Sequence, residues 1–156
     1  MAFPRTLEGE ADARGRKVAI AAARFNDFIV SSLLKGATEE WLKRGGAEGD
    51  LLVTRVPGAF ELPVVARQLA LGGRFDAVLA LGCVIRGDTP HFEYVAGECA
   101  RGVQLASLET GVPIIFGVLT VETVEQALER AATTAGNKGG EAMASALEMA
   151  SLMAQI

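Results

Sequence analysis

The sequence predicts an α/β domain, a parallel four-stranded sheet with helices on both faces. Three observations carry this. Four short strand-like runs occur, and those at Lys17 to Ala23 and Asp76 to Ile85 are almost continuously apolar, as strands buried on both faces are. Strand-like and helix-like segments alternate along the whole chain. The connections between them span only a few residues, which gives right-handed crossovers within one domain.

The elements follow in order. Lys17 to Ala23 ("KVAIAAA") comes after a charged leader and predicts the first strand. The next segment carries Val30, Leu34, Ala37 and Trp41 at helical spacing, and Gly45 ends the pattern. Asp50 to Val56 is the second strand, broken by Pro57 and Gly58, and "ELPVVARQLALGG" is the second helix. Asp76 to Ile85 is the third strand. Thr89 suits a helix N-cap and Pro90 the first helical position. Phe92, Val95, Cys99, Gly102 and Ala106 then repeat at helical spacing up to Gly111. Pro113 to Thr120 is the fourth strand and "VETVEQALERAA" the fourth helix. "AGNKGG" interrupts as a hinge, and Glu141 to Ile156 form the last helix. That helix confines its polar residues to one narrow stripe, as a helix does when its own sheet or a second subunit covers it. Residues 1–16 are read as a flexible N-terminal segment and 17–156 as the single domain.

Composition limits the function classes. A chain of 156 residues suits one core, and its net charge of −4 argues against nucleic acid and against a polybasic membrane anchor. No apolar run reaches membrane-spanning length, and the polar start lacks a signal-peptide core. The two cysteines, Cys83 and Cys99, make no disulfide framework, so reduced thiols and a cytoplasmic location are expected. One histidine and two cysteines are too few for a typical zinc site.

Ligands of open parallel sheets bind outside the carboxyl ends of the strands. Arg24-Phe25-Asn26 stand at the first such end, Pro57 to Glu61 at the second, and Arg86 to His91 at the third. Strand four carries Phe116. Phe25 and Phe60 singly read as packing plugs; together at one edge, beside the only histidine, they point to a flat aromatic ligand. Glu61 can accept hydrogen bonds from hydroxyls, and main-chain groups of Cys83, Val84 and Ile85 can meet a heterocycle edge. The helix start at Asp88 and Thr89 directs free N–H groups toward an anion such as phosphate. Arg130 reads either as that anion's charged partner or as a solvated charge beside Glu125 and Glu129. His91 is the side chain suited to move protons near neutral pH, although a lone histidine is commonly only exposed. Cys83 ends an apolar strand with no base beside it in sequence, which favours burial over nucleophilic use. Glycine-rich dinucleotide and P-loop motifs are missing.

"RFN", "PGAFELP", "LGCVIRGDTPHFEYV", "GVLT" and "AGNKG", in this order and spacing, closely resemble lumazine synthase, over about Lys17 to the C-terminus. The resemblance implies a flavodoxin-like three-layer α/β/α fold and the penultimate step of riboflavin biosynthesis. That step condenses 5-amino-6-(D-ribitylamino)uracil with 3,4-dihydroxy-2-butanone 4-phosphate and releases phosphate and water, with no cofactor and no metal. It implies that Phe25 stacks on the pyrimidine and that Ala59, Phe60 and Glu61 hold the ribityl chain. Cys83, Val84 and Ile85 meet the ring edge, and Asp88, Thr89 and Arg130 take the phosphate substrate. Phe116 closes the pocket, and His91 carries protons. It further implies a homo-oligomer of pentamers with sites between subunits, Phe116 and Arg130 coming from the neighbour, and it allows riboflavin synthase as a partner. Many family members carry Gly and Lys where this chain has Ala132 and Thr134, which leaves pentamer, decamer and sixty-subunit shell open, as it leaves the part of Lys138. The rivals to the enzyme are a non-catalytic flavin- or lumazine-binding carrier and a shell-forming protein. A carrier needs neither a proton carrier nor a cation for a leaving phosphate.

Overall fold

β1 (Val18–Ala23) is completely buried and pairs in parallel with β2 (Leu51–Val56) on one side and β3 (Ala77–Ile85) on the other. β4 (Ile114–Val121) adds to β3, giving the order β2-β1-β3-β4. This computed structural model describes residues 3–156. The β1 side chains alternate between the two faces of the sheet. Val18, Ile20 and Ala22 join one core with α1 (Asp27–Lys43), α4 (Val124–Ala131) and α5 (Lys138–Gln155). Ala19, Ala21 and Ala23 join the other with α2 (Leu62–Leu71) and α3 (His91–Thr110). The result is a three-layer α/β/α domain of flavodoxin-like architecture, as the alternation of segments predicts.

Short connections leave little freedom in where the strand ends fall. The α2–α3 crossing is close, because a Cβ at Gly102 would come within 2.7 Å of the Pro63 ring. On the opposite face Trp41 is fully buried, and its indole N–H donates to the Ala47 carbonyl at 2.9 Å. Residues 3–16 run back over the α1/α5 layer. Ala13 is buried there, its N–H donating to Arg44 O at 3.1 Å, and Gln155 donates to Glu8 O at 3.0 Å. On this leader Arg14 holds the Asp12 carboxyl down at about 2 by a direct hydrogen-bonded ion pair.

Several boundaries differ from the sequence reading: α4 begins at Val124 rather than at Val121, which ends β4, and the starts of α3 and α5 differ as well. α3 begins at His91, with Pro90 as its cap residue and no side-chain cap bond. Thr89 Oγ1 accepts only a long 3.4 Å bond from the His91 N–H. A threonine signal there competes with a proline that has no N–H to offer and sits at ψ 4°, outside helical geometry. α5 begins at Lys138, three residues before Glu141, so "AGNKGG" is half helix rather than a hinge. Asn137 takes the left-handed conformation (φ 45°) and accepts from the Gly140 N–H at 3.2 Å, which caps the helix. The glycines serve contact there: a Cβ on Gly139 would overlap the Leu33 carbonyl of α1. Part of the apolar face of α5 is covered within the chain, while Met153 stays 42 % exposed. Ala142, Met143, Ala146, Leu147 and Ala150 share a core with α1 and β1.

Candidate active site

The carboxyl ends of β1, β2 and β3 are tied to one another. After β1, the Arg24 N–H donates to Val56 O at 2.8 Å and the Phe25 N–H to Pro57 O at 3.0 Å. Asn26 then adopts a left-handed conformation (φ 61°) that few side chains other than Asn and Gly accept, and from it donates Nδ2 to Cys83 O at 2.9 Å. That one carboxamide joins the loop after β1 to the end of β3. The turn Ala59–Glu61 after β2 is pinned by buried Ala59 and Leu62, which leaves Phe60 and Glu61 at the surface of the edge.

These ends surround an open cleft of about 780 Å³, walled mainly by apolar groups. Phe25, Ala59, Phe60, Glu61, Cys83, Val84, Ile85, Thr89 and His91 all line it, so nine of the twelve residues singled out from sequence meet in one place. Phe25 is 72 % exposed and Phe60 57 %. Large rings left open at a concave edge mark a surface meant to be covered. Beyond Ile85 the chain alternates: Ile85, Gly87 and Thr89 line the cleft, whereas Arg86 and Asp88 do not. Asp88 therefore stands beside the cleft and not in its lining.

Phe116 and Arg130 are not in this cleft. Phe116 lies on the free edge of β4, 40 % exposed, over a second hollow of about 290 Å³ with Lys138 and Glu141. Arg130 is exposed on α4, and its Nη1 donates to Gln126 O at 3.1 Å rather than pairing with Glu125 or Glu129. Lys138 pairs with Glu141 at 3.0 Å.

Sequence reasoning set Asn26, Gly58 and Gly87 at the strand ends without giving them a role, and passed over Phe92, Tyr94 and Val95 as lining residues. Tyr94 and Val95 lie three and four residues beyond His91, the spacing of one helix face, so a cleft that holds His91 holds them too. Asn26 carried a usable signal, being one of the few residue types at ease in a left-handed helix cap.

Burial pushes the Cys83 thiol up to about 11. It is then the neutral thiol, a poor nucleophile, that faces the site. Cys99 is buried and raised in the same way, and both cysteines are free. Among the described residues, Glu61 is the one carboxylate that lines the cleft, and no lysine or arginine does. Among the described residues no group of three His, Cys, Asp or Glu side chains is placed to hold a metal. No described helix is long and apolar enough to cross a membrane.

The arrangement offers a ring face, a hydroxyl acceptor, backbone groups at a strand end, and an imidazole at the head of a helix. It suits a polar heterocycle with a hydroxylated chain, lying beside a second reactant that exchanges protons with His91. The family model described as 6,7-dimethyl-8-ribityllumazine synthase matches residues 15–154. A 6,7-dimethyl-8-ribityllumazine synthase of Syntrophus aciditrophicus (strain SB) is 60 % identical over 155 residues, covering 99 % of this chain and all of that protein. On a match of that extent, and on a fold that agrees with it, the chain belongs to the 6,7-dimethyl-8-ribityllumazine synthase family of transferases.

Proposed function

We propose that the cleft at the ends of β1, β2 and β3 is where this chain condenses 5-amino-6-(D-ribitylamino)uracil with 3,4-dihydroxy-2-butanone 4-phosphate. The observation that carries the assignment is the meeting of Phe25, Glu61 and His91, from three separate segments, around one cavity. Phe25 stacks on the pyrimidine, and the exposure of its ring supports that role. Ala59, Phe60 and Glu61 hold the ribityl chain, the carboxylate accepting from its hydroxyls. The backbone from Cys83 to Ile85 meets the edge of the heterocycle. Thr89 and the main chain at Asp88 receive the phosphate substrate at the head of α3, a twenty-residue helix whose dipole favours an anion.

The ring amine attacks the ketone carbon, and water leaves as the imine forms. Elimination then expels inorganic phosphate. The second nitrogen closes the ring with loss of a further water. Each step transfers a proton, and His91 serves as general acid and base at the mouth of the cleft. Holding two reactants in one cavity supplies much of the remaining acceleration.

The cleft has no cation of its own for the phosphate, and Arg130 with Phe116 fills that gap from an adjacent protomer. Three facts support this. Phe116 is exposed on a free sheet edge, Arg130 has no carboxylate partner among the described residues, and Val124 and Leu128 beside it on α4 are 40 % and 47 % exposed. The assembly is a homo-oligomer built from pentamers, and the two free thiols fit a reducing, cytoplasmic setting. The test is a steady-state assay with both substrates, followed by lumazine absorbance and phosphate release in parallel. Wild-type protein that releases no phosphate and forms no lumazine refutes the assignment.

A further inference from the structure

The segment between β3 and α3 is short, exposed and has no side-chain helix cap to fix it. Arg86 is the residue that holds it. Its main-chain N–H donates to Val121 O at 2.9 Å, continuing the β3–β4 ladder one step beyond the strand. Its side chain turns away from the cleft and meets three groups. Nε donates to Glu122 Oε2 at 2.8 Å, Nη1 lies 3.6 Å from Glu93 Oε1, and the guanidinium carbon stands 4.6 Å from the centre of the Phe92 ring. Glu122 is itself held, its N–H donating to Gln126 Oε1 at 2.8 Å. One planar cation thus joins the end of β4 to the first turn of α3, and Phe92 presents its ring to the cleft next to His91.

A lone exposed ion pair contributes little to stability. Here Glu122 follows β4 while Glu93 and Phe92 share the first turn of α3, so the guanidinium between them constrains where the loop lies rather than how stable the chain is. We propose that Arg86 is a positioning residue, a clamp from Glu122 to Phe92 and Glu93 that sets the loop 87–89 and the head of α3 for the phosphate substrate. The inference rests on the functional reading above and deepens it: Arg86 acts on the anion through geometry and does not touch it.

Charge and geometry make opposite predictions at Glu122. If only charge counted, Glu122→Ala would remove a negative group near the anion and lower the KM of the phosphate substrate. The clamp predicts that Glu122→Ala raises it by about three- to fivefold, and Arg86→Gln at least as much. The KM of the ribitylaminouracil stays within about twofold, since Phe25, Phe60 and Glu61 belong to other segments and Cys83 to Ile85 are held by the β3–β4 ladder. Glu122→Gln, which keeps an acceptor for Nε, returns most of the effect. Glu122 is exposed and outside the cleft, so its variants report even if Arg86→Gln does not fold. Hydrogen exchange at amides 87–93, free of any assay, should quicken in Glu122→Ala. A phosphate-substrate KM that falls or stays put in Glu122→Ala overturns the clamp, and so does unchanged exchange at those amides. Wild-type protein without turnover overturns the functional reading alone, and the exchange measurement then decides the clamp.

Discussion

His91 stands at the first position of a twenty-residue helix, exposed and at the rim of the cleft. A proton carrier so placed accelerates a reaction whose binding groups remain intact without it. His91→Ala should therefore lower kcat by about 10²- to 10⁴-fold with little change in the KM of the ribitylaminouracil. Single-turnover lumazine absorbance checks this, and a kcat within twofold of wild type would remove the histidine from the mechanism. Cys83 also lines the cleft, yet its thiol is raised to about 11 by burial, as is that of Cys99. From the ordinary value of 9.0 up to about 11 the unfolded chain gives up thiol protons that the folded chain retains. The unfolded state binds fewer protons in that window, so stability falls as pH rises, by about 1.4 kcal/mol per pH unit for each thiol. Urea unfolding at about pH 8 and about pH 10 should show that loss, and it should shrink in a Cys83→Ala, Cys99→Ala double variant. At this scale the sequence was informative wherever chemistry and location coincide. A sole histidine after a buried strand, and phenylalanines in loops at strand ends, could be read without coordinates. Asn26 could not be placed so directly, because its function is to donate to Cys83 O, 57 positions away, and a contact across that distance leaves no local pattern.

The four strands and five α-helices of the described residues were legible because most are strongly periodic or continuously apolar; β2, an edge strand with Thr54 and Arg55, was legible by the Pro57-Gly58 break that follows it. The misplaced boundary at α5 shows where such reading ends. Glycines in "AGNKGG" resemble a break when local propensity is the only guide. Their cause is tertiary, since Gly139 lets α5 approach the α1 backbone at Leu33. Gly139→Ala must part the two helices or shift one of them, and should cost about 3 kcal/mol. Gly49→Ala, where nothing lies within 4 Å of the added methyl, is the matched control and should leave stability within about 0.5 kcal/mol. Chemical denaturation of the two variants side by side makes the comparison. A Gly139→Ala variant as stable as the control would show that α1 and α5 are not in the close contact described. The same contact matters to the site at one remove, since α1 begins directly after Asn26 and α5 begins at Lys138, beside Phe116.

Across the whole molecule, Phe25 and His91 lie in one cleft, while Phe116 and Arg130 lie on other surfaces of the same chain. Residue types and spacing alone could not separate these two groups; it was the family resemblance that implied Phe116 and Arg130 come from a neighbour. A ring of protomers in which each cleft takes Arg130 from its neighbour has a consequence that a self-contained monomer lacks. His91→Ala and Arg130→Ala proteins, each impaired alone, form intact sites when unfolded together and reassembled. An intact site needs its His91 from an Arg130→Ala protomer and its Arg130 from a His91→Ala protomer. In a random equal mixture that happens in about a quarter of the sites, so about a quarter of wild-type turnover should return. Mixing the two variants without reassembly should return none, because the rings stay homogeneous. If both residues served the same protomer's cleft, every site in the mixture would carry one lesion and no activity would return under either protocol. Light scattering on the same samples reports whether reassembly succeeded, so recovered mass without recovered turnover would place Arg130 outside the neighbouring site.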